Sequence, residues 1–303
     1  MRKCSMCPRK CGENDKYKEI NYCGEGDSMR VARAALHFWE EPCISGKSGS
    51  GAVFFTGCNL KCVFCQNYRI ANNEIGAEVT PGRLAEIFFE LKEKGALNIN
   101  LVTPTHFIPG IAAAIGIAKE KGFDLPFVYN TSGYESVKSL KLLDGLIDVY
   151  LPDFKYSDCD RAARYSNAPD YVSAVKEALA EMYRQTGPAD FDENGIIKKG
   201  VIVRHLLLPG GVKNAKGVIE YLYNEYKDNI YISIMNQYTP LDSLPEGFDE
   251  IRRKVTKREY NSVIDFAIDL GVTNAFIQEG GTVSESFIPD FNLEGVTTDG
   301  SSC

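Results

Sequence analysis

Ala52–Asn67 reads AVFFTGCNLKCVFCQN, an apolar run that opens at once onto three cysteines. Ala52–Phe55 is apolar and Thr56 β-branched, as expected of a strand buried on both faces. Cys58, Cys62 and Cys65 follow with three and then two residues between them. If the run is a strand, all three thiols sit on one loop at its carboxyl end.

Working outward, short apolar runs alternate with amphipathic stretches. Asn98–Val102, Phe127–Tyr129, Val149–Leu151, Val201–Leu207, Tyr231–Met235 and Asn274–Ile277 read as strands. Helices are expected from Pro81, capped by Thr80, to about Lys94, and over Ile111–Glu120, Glu135–Leu143, Tyr171–Gln185 and Ala215–Tyr226. Thr256 and Glu259 form a capping box opening a last helix to about Leu270. Alternating strands and helices predict a parallel sheet with right-handed crossovers. The fold class is α/β, a partial or complete (β/α) barrel of residues 51–289, with an open doubly wound sheet as the alternative. Residues 1–50 read as a cysteine-rich, metal-organised appendage and lead-in loop, Pro188–Gly195 as a polar loop, and residues 290–303 as a flexible tail.

The chain has 303 residues, 25% of them charged, and a net charge of −7, which disfavours nucleic acid as the main partner. No apolar run approaches the roughly 20 residues that span a bilayer. With no apolar stretch behind Met1–Cys4, the expected location is the cytoplasm. There, ten cysteines in tight groups point to metal rather than to disulfides. Three thiolates can hold three corners of a [4Fe–4S] cubane and leave one iron open to a small ligand, whereas an electron-transfer cluster normally takes four. A zinc site completed by a fourth ligand is the other reading. Cys4, Cys7, Cys11 and Cys23 make a second, closed set, suited to structural zinc or a further Fe–S cluster.

The C-x3-C-x2-C spacing, with Phe64 just before the third cysteine, resembles the signature of the radical S-adenosylmethionine (SAM) superfamily. The likeness runs over about residues 50–280 and is greatest to the branch of pyruvate formate-lyase activating enzyme, including uncharacterised relatives with an amino-terminal four-cysteine pattern containing Cys7-Pro8-Arg9. The resemblance implies a TIM-like barrel and a [4Fe–4S] cluster on Cys58, Cys62 and Cys65. It further implies SAM on the open iron, reductive cleavage to a 5′-deoxyadenosyl radical, and hydrogen abstraction from a substrate, which in that branch is a protein. An electron donor such as flavodoxin or ferredoxin is the implied partner.

Polar residues at the strand ends are where a barrel builds its site. Lys155 or Arg204 suits the SAM carboxylate, and Asn130, Ser132 or Gln237 the ribose hydroxyls. Arg204, inside an apolar strand, must meet an anion or a barrel carboxylate. Asn130 and Ser132 could equally cap the next helix. Asp153-Phe154-Lys155 is similar to an Asp–Leu–Lys element of the activating enzymes, and Phe64 and Asn67 lie where that family contacts adenine. The family's Gly-Gly-Glu element after the second strand is missing. Thr103–His106 stands there instead, leaving backbone carbonyls or the Thr105 hydroxyl for the SAM amino group. His106 and His205 are read as structural histidines and Cys43, Cys159 and Cys303 as small apolar residues. Glu40 and Glu41 are expected in solvent, and Ile44–Gly51 as a lid over the cluster. A maturase, a small-molecule modifying enzyme, or a non-catalytic metal-binding adaptor or electron carrier are the competing functions.

Overall fold

The computed structural model describes residues 4–13, 21–278 and 289–297. Its sheet is built from β1 (Met29–His37), β2 (Ser50–Phe55), β3 (Ala77–Val79), β4 (Ile99–Val102) and β5 (Phe127–Thr131). It continues with β6 (Val149–Pro152), β7 (Asp190–Phe191), β8 (Ile197–Leu206), β9 (Tyr231–Met235) and β10 (Ala275–Ile277). The spatial order is β10-β9-β8-β6-β5-β4-β2-β1-β3, with β7 paired to β8 at the side. From β2 to β10 every pairing along this path is parallel. The path ends at β10 and β3, and no pairing joins these edges among the described residues. The barrel is therefore partial.

Helix α1 (Pro42–Ser45) follows β1, and α2 (Tyr68–Ala71) follows the cysteine loop. After them come α3 (Pro81–Glu93), α4 (Ile108–Glu120), α5 (Val137–Leu140), α6 (Cys159–Ser166), α7 (Tyr171–Thr186), α8 (Val212–Tyr226) and α9 (Lys257–Leu270). Strand alternation sorts the two faces. Phe127 and Tyr129 on β5, Tyr150 on β6, and Val201 and Val203 on β8 share one core with α3, α4, α7, α8 and α9. The intervening Val128, Val149, Leu151 and Ile202 meet only Cys43 and Ile44 of α1 among the helices. All the long helices thus lie on the outer face, which excludes the doubly wound alternative, and α1 plugs the inside. Thr80 caps α3 as expected by accepting from the Arg83 N–H, and Thr256 and Glu259 complete the capping box of α9.

Several expectations are corrected. The stretch 1–50 is not wholly an appendage: β1 pairs antiparallel with β2 and β3. Ile44–Gly51 is not a lid over the cysteine loop. Asn98 Nδ2 donates to the Ile44 carbonyl, Gly51 N–H to the Asn98 carbonyl, and the segment closes the amino end of the barrel, opposite that loop. The tail is not loose over 290–297, where Leu293 N–H donates to Ala32 and Ala34 N–H to the Glu294 carbonyl, burying Val296. Residues 298–303, with Cys303, lie outside the described residues. The Pro188–Gly195 loop contains the short strand β7. The expected helix over Glu135–Leu143 is shorter, α5 followed by a 3-10 turn at Lys141–Leu143.

Candidate active site at the carboxyl ends of the strands

Beyond Phe55, the loop from Gly57 to Asn67 turns back over the mouth of the barrel. It is fastened from several sides. Val63 N–H donates to the Tyr165 carbonyl at 2.9 Å, and Asn59 Nδ2 to the Tyr134 carbonyl at 2.7 Å. Ser132 Oγ donates to Asn59 Oδ1 at 3.3 Å, and Phe64 is buried between the rings of Tyr165 and Tyr238. Cys58, Cys62 and Cys65 line the cavity beneath the loop. The opposite wall carries Asn130, Ser132, Asp153, Lys155, Arg204 and Gln237, with Phe64 and Asn67 contributed by the loop itself. The fold thus gathers, from β5, β6, β8 and the end of β9, every singled-out side chain but one.

Thr105 is that one. It is buried behind the wall and its hydroxyl donates to Glu135 at 2.6 Å. Thr103 takes its place on the wall, with φ +58°, a left-handed conformation that a β-branched residue rarely adopts. Asn130 and Ser132 do not cap α5, whose N-cap is Ser136.

The charges on the wall form one network. Arg204 Nε meets Asp153 Oδ1 at 3.0 Å, Nη1 meets Glu40 Oε2 at 3.0 Å, and Nη2 donates to Asn130 Oδ1 at 2.6 Å. Asp153 also pairs with Lys155. Glu40 further accepts from Asn100 and Asn130 at 3.0 and 3.2 Å. Glu40 and Glu41 are therefore not solvated. The turn between β1 and α1 carries them into the barrel, and Glu41 is buried with its Oε2 unpartnered. Burial pushes the Glu41 carboxyl up. Burial also works against ionisation of Asp153, but the cations of Lys155 and Arg204 outweigh it and hold that carboxyl below its usual range. Lys155 shows the reverse balance, with burial opposed by Asp153 and Cys62, and its ammonium is held above the usual lysine range.

Burial raises the thiols of Cys62 and Cys65, the latter to about 12, and for Cys65 the neighbouring charges of Cys58 and Cys62 add to the rise. A cationic metal core would stabilise the thiolates of such a set. Ser166 Oγ donates to the Cys62 sulfur at 2.9 Å and Leu60 N–H to that of Cys58 at 3.4 Å. Among the described residues no three Cys, His, Asp or Glu side chains are close enough to share one metal ion.

Residues 52–210, just over half of the chain, match the model of the radical SAM superfamily. The chain belongs to the radical SAM superfamily. Membership implies an enzyme that works with SAM and a [4Fe–4S] cluster. This radical SAM chain is 27% identical over 275 residues to the uncharacterized protein MJ0674 of Methanocaldococcus jannaschii, covering 87% of this chain and 74% of the relative. In fold it is similar to Streptococcus suis SuiB bound to S-adenosylmethionine, with a TM-score of 0.50 and 19% identity, over 74% of this chain and 48% of SuiB. It is also similar to a radical SAM methyltransferase from Sphaerobacter thermophilus, with a TM-score of 0.51 and 16% identity, over 76% of this chain and 66% of that one. The chain thus spans about half the length of SuiB and about two thirds of the methyltransferase.

His106 and His205 stay off the cavity wall. The His106 ring donates from Nε2 to the Thr56 carbonyl and His205 from Nδ1 to that of Phe154 at 2.7 Å, and burial lowers both to about 4. Cys43 is buried as expected, whereas Cys159, opening α6, is exposed. The sequence reading missed His37, Trp39 and Glu40 as parts of the wall. No local signal marked Glu40, because Asp153 alone met the need of Arg204 for an acid. Among the described residues no helix is long and apolar enough to cross a membrane.

Proposed function

We propose that Cys58, Cys62 and Cys65 are the protein ligands of the [4Fe–4S] cluster, and that the facing wall receives SAM. The observation that carries this is the placement of three thiols on one buried loop across a cavity from Asp153, Lys155 and Asn130. Three thiolates with no fourth cysteine on the loop suit a cubane with one open iron better than a closed structural zinc site. When bound and reduced, the cluster supplies the electron that splits SAM into methionine and a 5′-deoxyadenosyl radical.

The chain's own side chains position and shield. Lys155, with two ammonium hydrogens left after Asp153, is the cation for the SAM carboxylate, whereas Arg204 is held in place by Asp153, Glu40 and Asn130. Ser132, Asn67 and Gln237 offer polar groups to ribose and adenine, and Phe64 an apolar ring edge. Ser166 and the Leu60 N–H withdraw charge from two of the sulfurs. Thr105 acts from behind, through Glu135.

The finer reading is an activating-enzyme-like oxidoreductase acting on a protein in the cytoplasm and reduced by a flavodoxin or ferredoxin. Asp153-Phe154-Lys155 at the end of β6 and the open edge of the barrel support it. Thr103 in place of an acidic Gly-Gly-Glu element speaks against a glycyl radical enzyme as that protein, and keeps a maturase or small-molecule modifying enzyme as the second reading. We propose also that Cys4, Cys7, Cys11 and Cys23 bind a second metal. Anaerobically reconstituted protein given dithionite and SAM is expected to release 5′-deoxyadenosine, and Cys62→Ala to lose cluster and cleavage together. A loaded wild type whose cluster has four protein ligands, and which neither binds SAM nor releases 5′-deoxyadenosine, sinks the reading.

A further inference from the structure

The amino-terminal cysteines pack directly against the loop of the other three. Their segment folds on itself through Gly12 N–H to the Cys4 carbonyl at 2.9 Å and Lys10 N–H to the Cys7 carbonyl at 3.2 Å. Tyr22 N–H donates to the Cys11 sulfur at 3.4 Å, bringing the distant Cys23 in beside the rest. Cys7, Cys11 and Cys23 are buried, and none of the four is in a disulfide. Three buried thiols and the half-buried Cys4, gathered in one short segment without disulfides, form a closed four-thiolate set suited to a metal.

The same segment grips the loop on two sides. Arg9 Nε donates to the Asn59 carbonyl at 2.8 Å and Nη2 to the Ser166 carbonyl at 2.9 Å, while the guanidinium lies 3.9 Å over the Tyr22 ring. Tyr22 in turn donates its hydroxyl hydrogen to the Leu60 carbonyl at 3.1 Å. On the other side Gly57, at φ +77°, allows an approach no side chain would tolerate. A Cβ there would stand 2.6 Å from Glu25 Cγ and 2.9 Å from the Cys23 carbonyl oxygen. One backbone contact therefore separates Cys23 from the residue preceding Cys58.

We propose that Cys4, Cys7, Cys11 and Cys23 hold a closed four-thiolate metal centre that clamps the loop of the three-cysteine centre. The inference rests on reading Cys58, Cys62 and Cys65 as ligands of the first cluster. Filling the amino-terminal site fixes Arg9, Tyr22 and Cys23, and these fix Asn59, Leu60 and Gly57. The loop then holds its three thiols ready, and losing the clamp loosens a cluster that the clamp does not touch.

The test uses the full chain, reconstituted anaerobically, as wild type, Cys11→Ser, Arg9→Gln and Gly57→Ala. Iron, sulfide and zinc are counted per chain, and the rate at which a chelator strips the SAM-responsive cluster is followed by EPR, with circular dichroism to check folding. Wild type should carry a second metal complement beside the four irons of the first cubane, as zinc or as further iron and sulfide. Cys11→Ser should lose that second complement and be stripped faster. Arg9→Gln, which gives up its bonds to Asn59 and Ser166, and Gly57→Ala, whose Cβ meets Glu25 and Cys23, should keep both complements yet be stripped at least roughly fivefold faster. Folded wild type with no metal beyond the first cubane overturns the second centre. Stripping of folded Arg9→Gln and Gly57→Ala at the wild-type rate overturns the clamp, even if Cys11→Ser does not fold. An EPR signal indifferent to SAM in every variant defeats the radical-enzyme reading instead, while the stripping comparison still decides the clamp.

Discussion

Arg204 sits in a run of apolar residues on β8, where an unpaired guanidinium would be prohibitively costly. Its need for an acid was legible from that run alone, and Asp153 on the neighbouring strand end meets it. The second acid, Glu40, was not legible. It is 164 positions away, next to an exposed Trp39, in a polar turn that locally reads as surface. Deleting the cation should therefore be far costlier than neutralising one anion. Arg204→Met leaves Glu40 buried without a cation and should cost about 3–5 kcal/mol. Glu40→Gln keeps an amide for Asn100 and Asn130 and leaves Arg204 on Asp153, so about 1–2 kcal/mol is expected. Urea unfolding midpoints of the two variants check the order. A Glu40→Gln protein as stable as wild type would return Glu40 to solvent.

At the scale of elements, periodicity carried the reading where strands are buried on both faces and helices are long. Tyr231–Met235 matches β9, and the capping residues of α3 and α9 act as their chemistry predicts. The reading failed for β1, whose MRVARAALH mixes arginines and alanines and has neither a continuous apolar run nor strict alternation. The strand lies between β2 and β3, and its small alanines are buried by those neighbours and by the docked 290–297 segment, which no local pattern announces. The reading failed again for 290–297, where burial comes from docking onto β1 and not from any local pattern. The α9 cap offers a clean test because its two partners differ in reach. Thr256→Ala loses the bond from the Glu259 N–H and should cost about 1 kcal/mol, lowering Tm by about 2–4 °C. Glu259 also accepts from the Gly210 N–H at 2.8 Å and pairs with Arg253, tying α9 to the turn after β8. Glu259→Ala should accordingly lower Tm further than Thr256→Ala in calorimetry, and equal drops would show that the tie to Gly210 contributes nothing.

For the molecule as a whole, the groups buried beside the cavity set a pH range for the fold. His106 and His205 are depressed to about 4 by burial, so they remain neutral in the fold but protonate in the unfolded chain near 6.5. Between those values the unfolded state binds more protons, and stability climbs as pH rises from about 4 to 6.5. Glu135 has the opposite sign. Burial raises its carboxyl from 4.5 to about 7, only partly offset by the hydroxyls of Thr105, Thr131 and Tyr129, and no cation joins those partners. The folded state then holds a proton that the unfolded chain has released, and stability falls as pH rises from 4.5 through 7, by about 3 kcal/mol once complete. His37, also lowered to about 4 by burial, adds to the histidines' side and Glu41, also raised by burial, to the acid side, so a Tm profile should rise to near neutrality and then stop rising. Glu135→Gln removes only the glutamate's contribution. Its Tm should stay at or below wild type at pH 4.5, where the native carboxyl is protonated and still bonded, and exceed wild type at pH 8, where that carboxyl must ionise in a dry site. Because Thr105 and Thr131 hang from the same carboxylate behind the wall proposed to receive SAM, a variant more stable at pH 8 and no weaker in SAM binding would mean that Glu135 serves neither the fold nor the wall there; one more stable yet weaker in SAM binding would show stability given up to hold that wall in place.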